Sequence, residues 1–421
     1  MNVVEKAMKI LEIGYVCDRC LGRQFAQLLS NTSNEARGKA LRLAVAMQLD
    51  QSGDTQRIDM RNFLGITFHN EKLARIKIKD SKPRCAICMN VFDRLERIAK
   101  KIFEKVKKYE FESFVVGTRL SPALLSREEE LWELVGIEAC EPIKAEINRE
   151  LGKLLEALFK KAGRKITVDF KSPDVVILVD LSASRISVRV NSLFIRGDYC
   201  KLVKGIPQTR WKRKVYRTSV QEIIAKPLLK ATRGRDTKFH GAGREDINVR
   251  CLGWRPFVIE VLEPKCRRID LKRIEREINK SRAVKVRRLR FTTSEEVRLL
   301  KEARFPKTYR VIVECEREIA SKDLRKLKQL ETVIAQRTPL RVLRRRSDRV
   351  RKRRVYEVRA RKISRKRFEL LVKCDAGLYV RELVTGDGGR TSPSVSSILG
   401  CECSVVDLSV IKIHTRSKKK N

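Results

Sequence analysis

At 421 residues the chain is long enough for two or three domains, each with its own core. Lys and Arg number 96 against 52 acids, a net charge of +44, and self-repulsion on that scale makes a polyanion, nucleic acid above all, the expected partner. No apolar run approaches a bilayer span, the start "MNVVEKAMKILEIGYVCDRC" has none of the regions of an export signal, and the basic runs lack a Trp/Phe/Leu-rich face, so the expectation is a cytoplasmic protein with no membrane partner.

Residues 1–50 read as helical. In "NTSNEARGKALRLAVAMQL", Asn31, Thr32, Ser33 and Asn34 are candidate N-caps, and Leu41, Ala44, Val45 and Leu49 recur at helical spacing. Residues 90–108 put Val91, Leu95, Ile98, Ile102 and Val106 on one helical stripe. "FESFVVGTRL" follows as a strand, then helices near 126–136 and 142–162. Alternation through Val175–Val179 and Ile186–Val190, split by "DLSAS", predicts paired strands. The basic, Gly- and Pro-containing stretch "KLVKGIPQTRWKRKVYRTS" sets a boundary near residue 205, giving domains 1–205 and 206–421. In the second domain, strands are expected at 255–264, 307–317 and 367–374. Helices are expected over "DLKRIEREINKS" and "ASKDLRKLKQLE", and a turn into a helix at "DAGLYVRELVTGD". Dense basic runs fall at 341–367 and 416–421. Clustered strands interleaved with helices predict an α+β fold on a mixed, largely antiparallel sheet flanked by helices, not a doubly wound one.

Four of the 12 cysteines form two C-x-x-C pairs, Cys17/Cys20 and Cys85/Cys88, with residues 21–84 between them. Each pair offers two thiolates to one tetrahedral ion, and all four close a structural zinc shell with no open position. Arg19, Arg23, Lys82 and Arg84 flank them and favour ionised thiolates. Two redox pairs or unliganded cysteines are the alternative. Cys374, Cys401 and Cys403 read as core cysteines, with a disulfide as the other choice for a charge-rich, thermophile-like composition, and a second metal site is not expected.

Histidines occur only at 69, 240 and 414, and there is no catalytic triad, zincin motif, P-loop or dinucleotide fingerprint. Nucleotide, redox-cofactor and metal hydrolysis are unsupported, which leaves carboxylate, Tyr and Arg. In "FHGAGREDINVRCLGWRPF", Gly241 and Gly243 permit a tight loop, and Asp246 opens a strand-like run amid cations that would keep it ionised. The plain alternative is a loop carboxylate paired with Arg244 or Arg250. Tyr309 starts a strand with Val311 and Val313 on its face, where core packing is the simpler role. Gly377 turns the chain ahead of Tyr379 and Arg381, which can reach one pocket or merely close a structural turn.

Together these segments resemble the pseudouridine synthases, and among them the archaeal tRNA enzymes acting on uridines 54 and 55 of the TΨC arm. The resemblance runs over nearly the whole chain. "CDRCLGRQF" and "CAICMNVF" are similar to that family's zinc-binding accessory region, which implies zinc on Cys17, Cys20, Cys85 and Cys88. "SPDVVILVDLSASRISVRVNSLFIRGDYCKLVKGIPQTRW" resembles the end of a THUMP-like RNA-binding domain and the exit from it. "SVQEIIAKPLLKATRGRDTKFHGAGREDINVRCLGWRPFVIE" resembles the catalytic segment and puts the catalytic aspartate on Asp246. The resemblance further implies a base-stacking tyrosine at Tyr309, a tyrosine lining the uridine pocket at Tyr379, and an aspartate-pairing arginine at Arg381. "RTPLRVLRRRSDRVRKRRVY" resembles a basic segment of the same branch. A further cysteine cluster that many relatives carry between "IPQTRW" and "SVQE" is missing, that region being only "KRKVYRT".

The implied architecture is an N-terminal zinc-containing, THUMP-like accessory domain followed by a pseudouridine-synthase catalytic domain. The implied reaction is isomerisation of uridine in tRNA by a monomer, with structural zinc and no catalytic cofactor. Charge and zinc alone would also suit a non-catalytic RNA-binding or assembly protein. Another THUMP-bearing tRNA enzyme, a methyltransferase or thiouridine synthase, would need a cofactor loop that the sequence lacks.

Overall fold

The structure, a computed structural model, describes residues 2–55, 57–77, 83–211, 213 and 215–415. Lys82 and the basic run at 416–421 therefore lie outside the described residues. The chain divides into two compact units, residues 1–191 and 192–421.

The first unit opens with helices. The helix Asn34–Ser52 starts after Ser33, whose hydroxyl accepts the Ala36 N–H, and stops at Gly53 in the left-handed region. The helix Leu95–Val106 buries Leu95, Ala99, Ile102 and Val106, the expected stripe turned slightly so that Ile98 lies at its edge. A four-stranded sheet follows: β1 (Ser113–Arg119), β2 (Thr167–Val168), β3 (Val175–Asp180) and β4 (Arg185–Val190), ordered β2-β1-β3-β4. β1 runs parallel to β2 and β3, while β3 and β4 form the expected antiparallel pair. The helices Pro122–Val135 and Ile143–Lys161 connect β1 to β2. Phe159 of the second packs against Phe103, Phe111 and Phe114, fixing helix to sheet.

The second unit is a ten-stranded sheet. Its strands are β5 (Leu193–Lys201), β6 (Asp236–Gly241), β7 (Arg250–Leu262), β8 (Val284–Thr292), β9 (Lys307–Cys315), β10 (Val333–Arg337), β11 (Val350–Lys362), β12 (Arg367–Cys374), β13 (Thr391–Ser392) and β14 (Cys403–Ile413). The order is β13-β10-β11-β12-β9-β14-β7-β5-β8, with β6 also on β7. Its pairings are antiparallel except β14 with β7, so the mixed, largely antiparallel α+β arrangement holds. The helices Val220–Thr232 and Leu271–Ile278 pack with the β5/β7/β8 half through Val220, Ile224, Leu228, Ile274 and Ile278. On the other half, the segment 321–330 and the helices Val380–Thr385 and Val395–Leu399 bury Leu327, Leu330, Leu383 and Val395.

The boundary lies at 191/192, ahead of the expected 205. The reason is β5: it pairs with both β7 and β8, and its Ile195 and Tyr199 are fully buried in the second unit's core. No described helix is long and apolar enough to cross a membrane.

Candidate active site and cysteine centre

Asp246 sits on the loop joining β6 to β7, and that loop is pinned from several directions. Gly243 takes φ +71°, a conformation that favours glycine. A Cβ at Gly241 would lie 2.6 Å from Gln208 Nε2. Gln208 uses this closeness to donate to the Gly243 carbonyl at 3.0 Å and to Tyr199 Oη at 2.7 Å. Arg255 Nη1 donates to the Ala242 carbonyl at 2.9 Å. Lys201 Nζ donates to the carbonyls of Ile206, Asp246 and Ile247, each at 3.1 Å. The Asp246 carbonyl also accepts from Val249 N at 3.0 Å.

Glu245 is the centre of this foundation. Its carboxylate is wholly buried, 3.1 Å from Arg255 Nη2 and 3.8 Å from Lys201 Nζ, and it accepts from Tyr199 Oη at 3.2 and 3.3 Å. Burial first, then the Glu245 charge, pushes the Tyr199 phenol well up, so it stays protonated and can donate. The next residue points the other way: the Asp246 side chain is 54% exposed.

The arginine on Asp246 is Arg341, at 3.4 Å, not the expected Arg381. Arg341 lies in the 3-10 turn Leu340–Arg345 and donates through Nε at 2.6 Å to Glu382, a carboxylate 5% exposed. The buried Glu382 needs a cation, and Arg341 meets it while its Nη1 extends to Asp246. Arg381, next to Glu382 on the same short helix, is half-buried and has no hydrogen bond or ion pair among the described residues. Tyr379 is brought to the same place. Its backbone exchanges two bonds with the Gln336 side chain at 2.8 and 2.9 Å, and its hydroxyl accepts from Arg346 at 2.9 Å. Gly377, at φ +90°, makes the turn that leads into it.

Tyr309 is placed by β9, between Val372 of β12 and Val410 of β14. Burial pushes its phenol well up. Arg341, Glu382 and the inward role of Glu245 were not singled out from sequence. Arg341 stands in an Arg-rich run where nothing marks one cation from the next.

In the first unit, the sulfurs of Cys17, Cys20, Cys85 and Cys88 lie within 4.8 Å of one another, with Cys17 Sγ 3.7 Å from Cys88 Sγ. Zn–S bonds of about 2.3 Å in a tetrahedron put sulfurs about 3.8 Å apart, so the four residues fit one ion. The second knuckle is shaped by Met89 and Asn90, both at positive φ, and by Asn90 Oδ1 accepting from Cys85 N at 2.8 Å. Burial pushes the Cys20 thiol up, and Cys17, Cys85 and Cys88 push it further, so four free thiolates could not coexist here without a cation. Arg23, wholly buried, supplies part of the balancing charge at 3.7 Å from Cys20 Sγ. Arg19, expected to do likewise, is turned to Glu35, Glu146 and Glu150.

Comparison with known proteins agrees over both units. The family described as "Pus10, C-terminal" matches residues 194–414, and "Pus10 THUMP domain, archaeal" matches residues 98–180. Among curated proteins, the tRNA pseudouridine synthase Pus10 of Methanocaldococcus jannaschii is 42% identical, over 96% of this chain and 93% of its own length. That of Methanothermobacter marburgensis is 41% identical over 98% and 99%. A crystal structure of a Cbf5-Nop10-Gar1 complex is similar at a TM-score of 0.32 and 18% identity, covering 51% of this chain and 48% of that one, a likeness too slight to carry an argument. The family matches and full-length relatives set the chain in the class of pseudouridine synthases, which are isomerases. Within that class it belongs to the Pus10 family.

Proposed function

We propose that the chain isomerises uridine 54, uridine 55 or both in the tRNA TΨC arm to pseudouridine, with Asp246 as the catalytic carboxylate, acting as a cytoplasmic monomer. The observation that carries this reading is the contrast on one loop: Glu245 anchored in the core and Asp246 held outward against Arg341. The reaction breaks the glycosidic bond, turns the uracil, and rejoins the sugar to carbon, so atoms balance without a cofactor. It needs a positioned carboxylate, a surface to hold the freed base, and exclusion of competing water. In this reading Tyr379 lines the uridine pocket and Tyr309 supports the base from β9. Arg341 fixes the carboxylate, and Arg381 is left for the RNA. The target must be drawn out of the folded tRNA to reach Asp246, as base-flipping enzymes require. The THUMP-containing unit grips the RNA away from the reacting uridine, and Cys17, Cys20, Cys85 and Cys88 hold a structural zinc ion there.

The test is incubation with unmodified tRNA transcript and mapping of pseudouridine at each position. Asp246→Asn should lower the rate by about 10³-fold or more while tRNA affinity stays near that of the wild type. Full activity in that variant would remove Asp246 from the chemistry, and no pseudouridine from wild-type protein with bound tRNA would overturn the reading.

A further inference from the structure

Seven of the 12 cysteines gather in two groups, the four already described and a second set, Cys315, Cys401 and Cys403, whose sulfurs also lie within 4.8 Å of one another. The backbone builds this second set. Cys315 ends β9 and Cys403 opens β14 directly opposite it. The backbone bond falls on their neighbours, Glu316 N to the Glu402 carbonyl at 3.0 Å. This is the non-hydrogen-bonded position of an antiparallel pair, where facing side chains come closest, and the two sulfurs are 3.2 Å apart.

Cys401 enters from the turn after the helix Val395–Leu399, where Gly400 takes φ +62° and Cys401 N donates to the Ser396 carbonyl at 3.3 Å. Ser396 Oγ accepts from Cys403 N at 3.1 Å and donates to the Val384 carbonyl at 3.0 Å, which fixes the C-x-C backbone. Arg317 is held alongside by the Leu399 carbonyl at 2.6 Å.

A disulfide between Cys315 and Cys403 would leave Cys401 without a purpose. Three sulfurs converging from a strand end, a strand start and a turn instead match three corners of a tetrahedron, and a small relaxation takes them to the spacing of about 3.8 Å that zinc sets. Cys315 and Cys403 are buried, and half-buried Cys401 forms the open side.

We propose that Cys315, Cys401 and Cys403 form a second thiolate centre for a thiophilic cation such as Zn2+, bound by three sulfurs with its fourth position open beside Cys401. The thiols release their protons to solvent as the ion binds. The centre clips the end of β9, the strand that carries Tyr309, to the start of β14.

Full-length protein is purified under reducing conditions, saturated with Zn2+, dialysed against a weak chelator, and analysed for metal. Cys401→Ser, a substitution outside the buried core, should carry about one zinc ion per chain fewer than wild type with an unchanged circular dichroism spectrum. That difference is the readout whatever the four-cysteine centre holds, so failure of one centre does not mask the other. Co2+ exchanged into wild type should give more thiolate-to-cobalt charge-transfer absorption than in Cys401→Ser, by about one ion's worth. Equal zinc in wild type and Cys401→Ser, or a Cys315–Cys403 disulfide in the reduced, zinc-saturated protein, would overturn the proposal.

Discussion

Glu245 and Asp246 are chemically near-identical neighbours with opposite surroundings. Glu245 is enclosed by Arg255, Lys201 and Tyr199, while Asp246 is half in solvent. Removing the inner charge strands two buried cations, a loss of about 3–5 kcal/mol. Glu245→Gln should therefore lower stability by roughly that amount. It should also reduce kcat with little change in tRNA affinity, and Glu245→Asp should recover part of the rate. Chemical denaturation and single-turnover kinetics would check both, and an unaltered kcat would mean the loop does not depend on this anchor. The sequence places both acids on a Gly-rich turn but cannot say which faces inward. That depends on Lys201 of β5 and Arg255 of β7, whose pairing is a tertiary fact. The same holds for Arg341 against Arg381. The motif draws attention to the arginine beside Tyr379, while the guanidinium on Asp246 comes from a basic run selected by the buried Glu382.

At the scale of single elements, β9 carries a titratable group at its first residue. Lys307 is buried, and burial with Arg255 beside it pulls its ammonium down to about 8 from 10.5. Below about 8 the lysine is charged in both folded and unfolded chains. Between about 8 and 10.5 the unfolded chain still holds a proton that the folded one has released, so stability rises with pH across that window. Lys307→Met should lack this rise, as seen by comparing unfolding midpoints of the two proteins from pH 7.5 to about 10. In the first unit the knuckles tie the opening helices to the segment before the helix Leu95–Val106. Cys17→Ser should lose zinc and lower the melting temperature of that unit, and undiminished zinc content would refute the four-cysteine centre. Elements with clean periodicity were readable, among them β3, β4, β9, β12 and the helix Leu95–Val106. β8 and β11 were not, because "VKVRRLRFT" and "VRKRRVYEVRARK" carry cations on both faces of the strand and hide its alternation. β5 was not singled out from the sequence, and its pairing with β7 and β8 moved the domain boundary.

Over the whole molecule the charge of +44 is the dominant property. tRNA binding should weaken steeply with salt, by about 10³-fold or more between 50 and 200 mM if some six to ten phosphates are neutralised. Lys352 and Arg354 stand exposed on β11. Lys352→Ala should reduce the slope of log affinity against log salt by about one, leaving the rate for bound tRNA unchanged, as equilibrium binding across a salt series would show.

The position of β14 has a temporal consequence. This strand, residues 403–413, lies between β9 and β7 and is what joins the two halves of the sheet. Asp246 belongs to the half with β6 and β7, and Arg341, Tyr309 and Tyr379 belong to the half with β9 to β13. During synthesis both halves emerge before the strand that unites them. The nascent chain can therefore hold folded pieces and exposed cations before Asp246 and Arg341 are brought together, and the proposed catalytic site forms in one late step when β14 is threaded into the middle of the sheet.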